Sequence, residues 1–264
     1  MRTMLEVEIT RIDVSKGERR RTRDLVAEEK PLYVFLNRSH YATILCTPSN
    51  LKELAIGHVL SEGVVKSVEE IDEAELNEKE GSCRIRLKEN VDLEKRLKLA
   101  KHLARVIFTA CGSDTPLQPS PRLAKVRSDL KVKAESVLKF VNSLNRDALT
   151  FRETGGVHAA AVYRGDGTCV AFAEDVGRHN AVDKVIGIAV MGRIVPAGCL
   201  IVLTGRLTAD IVLKVARAKV PIVASLAAAL DSGIALARDV NMTLVGFARG
   251  KRLNVYTFPE RILL

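Results

Sequence analysis

The chain has 264 residues, 47% apolar and 28% charged, with no Trp and 4% aromatic residues. That balance excludes a disordered or collagen-like chain, and the length suits one large domain or two unequal ones. No run of eighteen apolar residues occurs and the N-terminus has no signal-like hydrophobic stretch, so a cytoplasmic protein without membrane partners is expected. The net charge of +9 gathers at residues 19–23, 95–105 and 122–133. It favours an anionic partner, whether nucleic acid, a phosphorylated cofactor or an acidic protein, although each cluster alone reads equally as a solvated surface. Scarce aromatics leave few base-stacking platforms, so no nucleic-acid partner is expected.

In chain order, residues 31–45 read as extended. Thr47-Pro48-Ser49-Asn50 then supplies a turn and an N-cap for a helix carrying Leu51, Leu54, Ala55, His58 and Val59, closed by Gly63. Residues 69–87 read as a strand pair around Glu80-Gly81, and 91–103 as a basic amphipathic helix. A short strand over 106–109 leads into Ala110-Cys111-Gly112-Ser113-Asp114-Thr115-Pro116, followed by a connector around Pro119 and Pro121. A helix is expected over 132–144, and strands over 158–163 and 170–173. Beyond them come a helix from Ala181, a strand over 199–203 and a helix from Thr208. The series closes with a strand over 222–224, a helix from Leu230 and a strand over 243–247. The expected organisation is a small N-terminal α+β domain over 1–105 and an α/β domain over 106–264 built on a mixed sheet covered by helices. Polar sites in such sheets collect where strands end.

Of five cysteines, none is spaced C-x-x-C, which argues against a disulfide framework or a cysteine-rich zinc site. Cys46, Cys169 and Cys199 sit in apolar, strand-like surroundings and read as small buried hydrophobes, whereas Cys83 reads as surface or half-buried. Cys111 stands in a turn-forming run where a substrate could reach its sulfur, with an inert structural cysteine as the competing reading. Gly155 and Gly156, before a strand rich in alanine, permit close approach of a backbone or a flat ligand. Arg178, His179 and Asn180 precede the helix expected from Ala181; Asn180 reads as its N-cap, and Arg178 with that helix end makes a candidate anion site. A capped helix with a surface ion-pair cluster is the alternative. Gly205 and Arg206 repeat the theme. Phe247, Ala248, Arg249, Gly250, Lys251 and Arg252 end the last strand with three cations, suited to a pyrophosphate. Zinc-deaminase chemistry is excluded by pattern, since His158 lacks the His-x-Glu continuation.

The segments PSNLKELAIGHVLSEG (48–63), TGGVHAAAV (154–162), EDVGRHNAVDKVIG (174–187), Thr204 to Arg206 and LVGFARGKRLNVYTFPER (244–261) resemble the formate dehydrogenase accessory sulfurtransferases (FdhD). The resemblance spans nearly the whole chain. It implies a fold similar to cytidine deaminases without their zinc, commonly as a homodimer. It also implies that a cysteine desulfurase loads a loop cysteine with a persulfide. That sulfur then goes to the bis-guanine-dinucleotide molybdenum (or tungsten) cofactor before insertion into formate dehydrogenase. The persulfide cysteine matches Cys111, and the cofactor-contacting stretch matches residues 247–252. The family pattern is Cys-Gly-x-Cys, and here Asp114 stands at the fourth position. A two-cysteine relay is therefore impossible, and a nearby carboxylate disfavours the thiolate unless a cation such as Arg178 offsets it. A cofactor-binding chaperone without sulfur transfer is the second reading.

Overall fold

The computed structural model describes residues 3–104 and 124–264. Cys111, Asp114, the strand expected over 106–109 and the connector around Pro119 and Pro121 lie outside the described residues. The chain opens with a hairpin, β1 (Met4–Asp13) and β2 (Glu18–Ala27), followed by β3 (Lys30–Leu36), β4 (Ser39–Cys46) and helix α1 (Leu51–Ser61). Then come β5 (Ile71–Asn77), β6 (Ser82–Leu87) and α2 (Leu93–Ala104). After the gap follow β7 (Val132–Lys133), α3 (Ala134–Asp147), α4 (Leu149–Thr154), β8 (His158–Arg164), β9 (Cys169–Asp175) and α5 (Arg178–Met191). The last part runs β10 (Cys199–Leu203), α6 (Ala209–Arg217), β11 (Ile222–Ser225), α7 (Asp231–Asp239), β12 (Thr243–Arg249), β13 (Arg252–Thr257) and β14 (Ile262–Leu263).

The main sheet has six strands in the order β13-β12-β11-β10-β8-β9. β10, β11 and β12 are parallel, while β8, β9 and β13 pair antiparallel to their neighbours. Alternation along the strands feeds two apolar layers. Ala159, Ala161, Leu200, Val202, Ile222 and Val245 pack against Val137, Phe140 and Leu144 of α3. Ala160, Val162, Ile201, Leu203 and Val223 point the other way, against α5, α6 and α7. A mixed sheet with helices on both faces is thus the observed architecture, as expected.

A four-stranded sheet, β4-β3-β6-β5, packs its inner face on α1 through Leu32, Val34, Leu54, Val59 and Ile85. The segment read as extended over 31–45 is a hairpin, turned at Asn37 with φ 53°. Cys83, read as surface or half-buried, is fully buried because it falls on the inward alternation of β6 beside Ile85. Cys46 and Cys199 are buried as expected, whereas Cys169, at the start of edge strand β9, is exposed. Among the described residues no helix is long and apolar enough to cross a membrane.

α1 and α5 join the two sheets at a crossing where neither helix tolerates a side chain. A Cβ on Gly57 would lie 1.8 Å from the Asp183 carbonyl oxygen, and one on Gly187 would lie 1.9 Å from that of Glu53. Beside the crossing, buried Asp183 accepts from Ser61 Oγ at 2.6 Å and pairs with Lys214 Nζ at 2.9 Å and His58 Nδ1 at 3.0 Å. Lys214 also reaches Glu62 at 2.6 Å. Burial alone would raise the Asp183 carboxyl, but Lys214 and then His58 overcome it and hold it at about 2.

Candidate functional site

β8 runs antiparallel to β10, and β9 antiparallel to β8, so the start of β8 and the ends of β9, β10, β11 and β12 all reach one edge of the sheet. The loops at Gly155–Gly156, Arg178–Asn180, Gly205–Arg206 and Phe247–Arg252 lie along that edge. From the end of β9 to the end of β12 there are four inter-strand steps, or about 19 Å.

At the β9 end, a buried ion pair fixes the loop. Asp175 and Lys184 are both fully buried and lie 2.7 Å apart. Asp175 also accepts from Thr47 N–H at 3.1 Å and Gly177 N–H at 2.8 Å. Lys184 donates to the carbonyls of Thr47 at 2.9 Å and Glu174 at 3.1 Å. A buried pair is stable only when its remaining valences are met in this way. Helix α5 begins at Arg178, three residues earlier than expected, with Gly177 as its N-cap. Asn180 is therefore inside the first turn and not the cap. Its amide instead donates to the Leu45 carbonyl and the Asp175 carboxylate, both at 2.8 Å, tying the loop to β4.

The early start of α5 presents Arg178 and His179 to the sheet edge. His179 Nε2 hydrogen-bonds Asp210 at the start of α6, and Thr208 Oγ1 donates to the same carboxylate. Arg178 Nη2 lies 3.8 Å from Asp210, while its buried Nε has no partner among the described residues. Burial raises the Asp210 carboxyl, but the bonds from His179 and Thr208 outweigh it and leave the group well below the usual carboxylate range. Across the edge, His158 Nδ1 lies 3.2 Å from Thr204 Oγ1, which accepts from Ala159 N–H at 3.1 Å. Burial first, then the charges of Arg178, His179 and Arg206, push the His158 imidazole below its ordinary value. Protonation of the His158 ring is thus disfavoured at this edge.

The remaining residues fall into place along the same edge. Gly155 is the C-cap of α4 with φ 64°, and Gly156 abuts Ala27 of β2. Gly205 faces the Arg178 side chain so closely that a Cβ on it would lie 3.1 Å from that of Arg178, and its carbonyl accepts from Ser225 Oγ at 2.6 Å. Arg206 is exposed. The stretch from Phe247 does not end the sheet; it is the turn of a β12–β13 hairpin. Phe247 has φ 50° and its N–H donates to the Ala227 carbonyl at 3.0 Å. Ala248 is fully buried, so only its backbone can meet a ligand. Arg249, Gly250, Lys251 and Arg252 are exposed at the tip, with the Arg249 guanidinium 5.5 Å from the Phe247 ring centroid. Gly250 and Lys251 border an open groove of about 700 Å³ against Glu135, Lys139, Asn142 and Arg146 of α3.

The sequence did not flag Asp210; Thr204 entered only as part of the Thr204–Arg206 segment, and Thr208 only as the start of a helix. The helix start expected at Thr208 was found, with Thr208 as the N-cap of α6. Nothing local shows that the Asp210 carboxylate meets His179. Among the described residues no three His, Cys, Asp or Glu side chains form a metal cage.

An α/β protein with cations and backbone donors along one sheet edge is the class these features define. The chain belongs to the FdhD/NarQ family, matching it over residues 27–263. It is 36% identical over 255 residues to the sulfur carrier protein FdhD of Shouchella clausii, covering 94% of this chain and 93% of that one. It is 37% identical over 258 residues to the protein of the same name from Methanothermobacter thermautotrophicus, with 98% of both chains covered. A crystal structure described as that of a formate dehydrogenase accessory protein from Desulfotalea psychrophila superposes with a TM-score of 0.80 at 27% identity. The match covers 99% of this chain and 100% of the other.

Proposed function

We propose that this chain is a sulfurtransferase for formate dehydrogenase maturation. Cys111 takes a sulfur atom from a cysteine desulfurase and passes it to a bis-guanine-dinucleotide molybdenum or tungsten cofactor, which is the substrate. In the loading step the Cys111 thiolate attacks the outer sulfur of the donor's persulfide. The donor's S–S bond breaks, its cysteine leaves as thiolate, and the new S–S bond is on Cys111. One thiolate suffices for this exchange, so Asp114 at the family's second cysteine position does not block it.

The observation that carries the reading is the convergence of Arg178, Arg206 and the Arg249–Arg252 tip on one sheet edge. Guanidinium groups suit phosphates through paired, planar donation. Their spread of about 19 Å suits an extended dinucleotide better than a single phosphate. The names of the relatives, sulfur carrier protein and formate dehydrogenase accessory protein, agree with it.

The test is maturation of formate dehydrogenase in cells lacking their own accessory protein. Cys111→Ala is expected to abolish dehydrogenase activity while guanosine diphosphate still binds the purified variant. Asp114 favours one competing reading, a cofactor chaperone with no sulfur transfer, and that reading predicts normal activity with Cys111→Ala.

A further inference from the structure

Helix α3 has one stripe in the core and one outside it. Val137, Phe140, Val141 and Leu144 are buried against the main sheet. Glu135, Lys139, Asn142 and Arg146, spaced four, three and four residues apart, are exposed on the opposite stripe. At 1.5 Å per residue that row is about 16 Å long. Beside it stands the β12–β13 hairpin, which closes at the rung Arg249–Arg252 and leaves Gly250 and Lys251 as its loop. Row and loop border the open groove of about 700 Å³, with half-buried Leu138 and Ser143 also in its lining.

The charge of this groove is one-sided and largely uncommitted. Lys139, Arg146 and Lys251 share it with a single carboxylate, Glu135. Among the described residues Lys139 and Lys251 make no ion pair, and Arg146 pairs only with its exposed neighbour Asp147, at 2.9 Å. Such an exposed pair is weak and exchanges readily for another carboxylate. An anionic ligand is therefore what the groove suits. A nucleotide base finds no aromatic ring in the lining to stack on. An extended peptide fits better, since five residues at about 3.3 Å each span the row. The Asn142 amide can also donate and accept, as a peptide backbone needs. The groove lies apart from Arg178 and His179, because α3 covers one face of the main sheet and α5 the other.

We infer that this groove binds an acidic, extended segment of a partner protein. The acidic residues of the segment lie toward the three cations. A hydroxyl or amide residue lies at the Glu135 end, where another carboxylate would be repelled. The captured segment holds its protein beside the Arg249–Arg252 tip. On the reading above that is also beside the cofactor's phosphates, but the site itself does not depend on that reading. The contact is made of exposed charges, so it weakens as salt rises.

Fluorescence anisotropy on the full chain at low salt tests this, with a labelled peptide of four glutamates followed by four serines. An all-serine peptide is the blank. Wild type is expected to bind the acidic peptide and not the blank. Lys139→Glu with Arg146→Glu is expected to weaken binding at least tenfold and to leave guanosine diphosphate binding unchanged. Glu135→Gln is expected to tighten the peptide twofold or more. Lys79→Glu with Lys88→Glu, at exposed positions beside the four-stranded sheet, makes the same change in net charge and is expected to keep affinity within twofold. Circular dichroism checks that every variant remains folded. No binding by wild type, or equal losses from the two double variants, overturns the proposal. Displacement of the peptide by guanosine diphosphate would make the groove a nucleotide subsite and overturns it equally.

Discussion

Gly57 and Gly187 sit back to back across the α1–α5 crossing, each facing a carbonyl oxygen of the other helix at a distance no Cβ can occupy. The two segments PSNLKELAIGHVLSEG and EDVGRHNAVDKVIG meet here. Part of what makes them distinctive is therefore packing, and the crossing sets where α5 presents Arg178 and His179.

Alanine at either glycine forces the helices apart. Gly57→Ala or Gly187→Ala is expected to cost about 3 kcal/mol, the upper range for overpacking. That lowers the melting temperature by about 6 °C in a chain of this size. Thermal unfolding followed by circular dichroism checks it; an unchanged midpoint would mean the crossing is looser than described.

Acid should weaken the same junction. The Asp183 carboxyl is held at about 2 against its ordinary 3.8. A carboxyl lowered on folding contributes its full stability above the unfolded value and loses it as pH falls through the folded one. The loss therefore falls between about pH 4 and pH 2 and amounts to about 2 kcal/mol. Lys214 is shifted in the opposite sense: burial lowers it, but Asp183 and Glu62 raise it above 10.5. Its contribution is complete below that value and is lost as pH rises through the folded one. Urea unfolding across the acid range should show a shallower decline in Asp183→Asn than in wild type, and equal slopes would count against the assignment.

His158 reports on the cations at the sheet edge. Burial is the main reason its ring is easily deprotonated, and Arg178 is the next. Arg178→Gln is expected to move the His158 titration part of the way back toward its ordinary value, read from imidazole resonances by NMR. A titration unchanged by the substitution would show that Arg178 does not face the ring.

Legibility followed local pattern. The strand Cys199–Leu203 was read to the residue because its apolar run is bounded by Pro196-Ala197-Gly198 and Thr204-Gly205. The β1–β2 hairpin escaped because its alternation of charge and apolar groups leaves no buried face to read. β13 was missed because the basic turn before it reads as a chain end. Asn180 was misread as a cap because its amide has long-range partners, Leu45 and Asp175, that no window of sequence contains. The same limit hid Asp210: a helix start is visible locally, but its pairing with His179, 31 residues away, is a product of sheet order.

Intact-mass spectrometry most directly tests the claim that Cys111 carries sulfur. The full chain and its Cys111→Ala variant would be incubated with a cysteine desulfurase and cysteine, beside a relative that has the second loop cysteine. A gain of one sulfur atom on the wild type, removed by reductant and absent from the variant, is the expected result. No gain on the wild type while the relative loads normally would contradict it, and would identify Asp114 as the mark of a protein that binds the cofactor without passing sulfur.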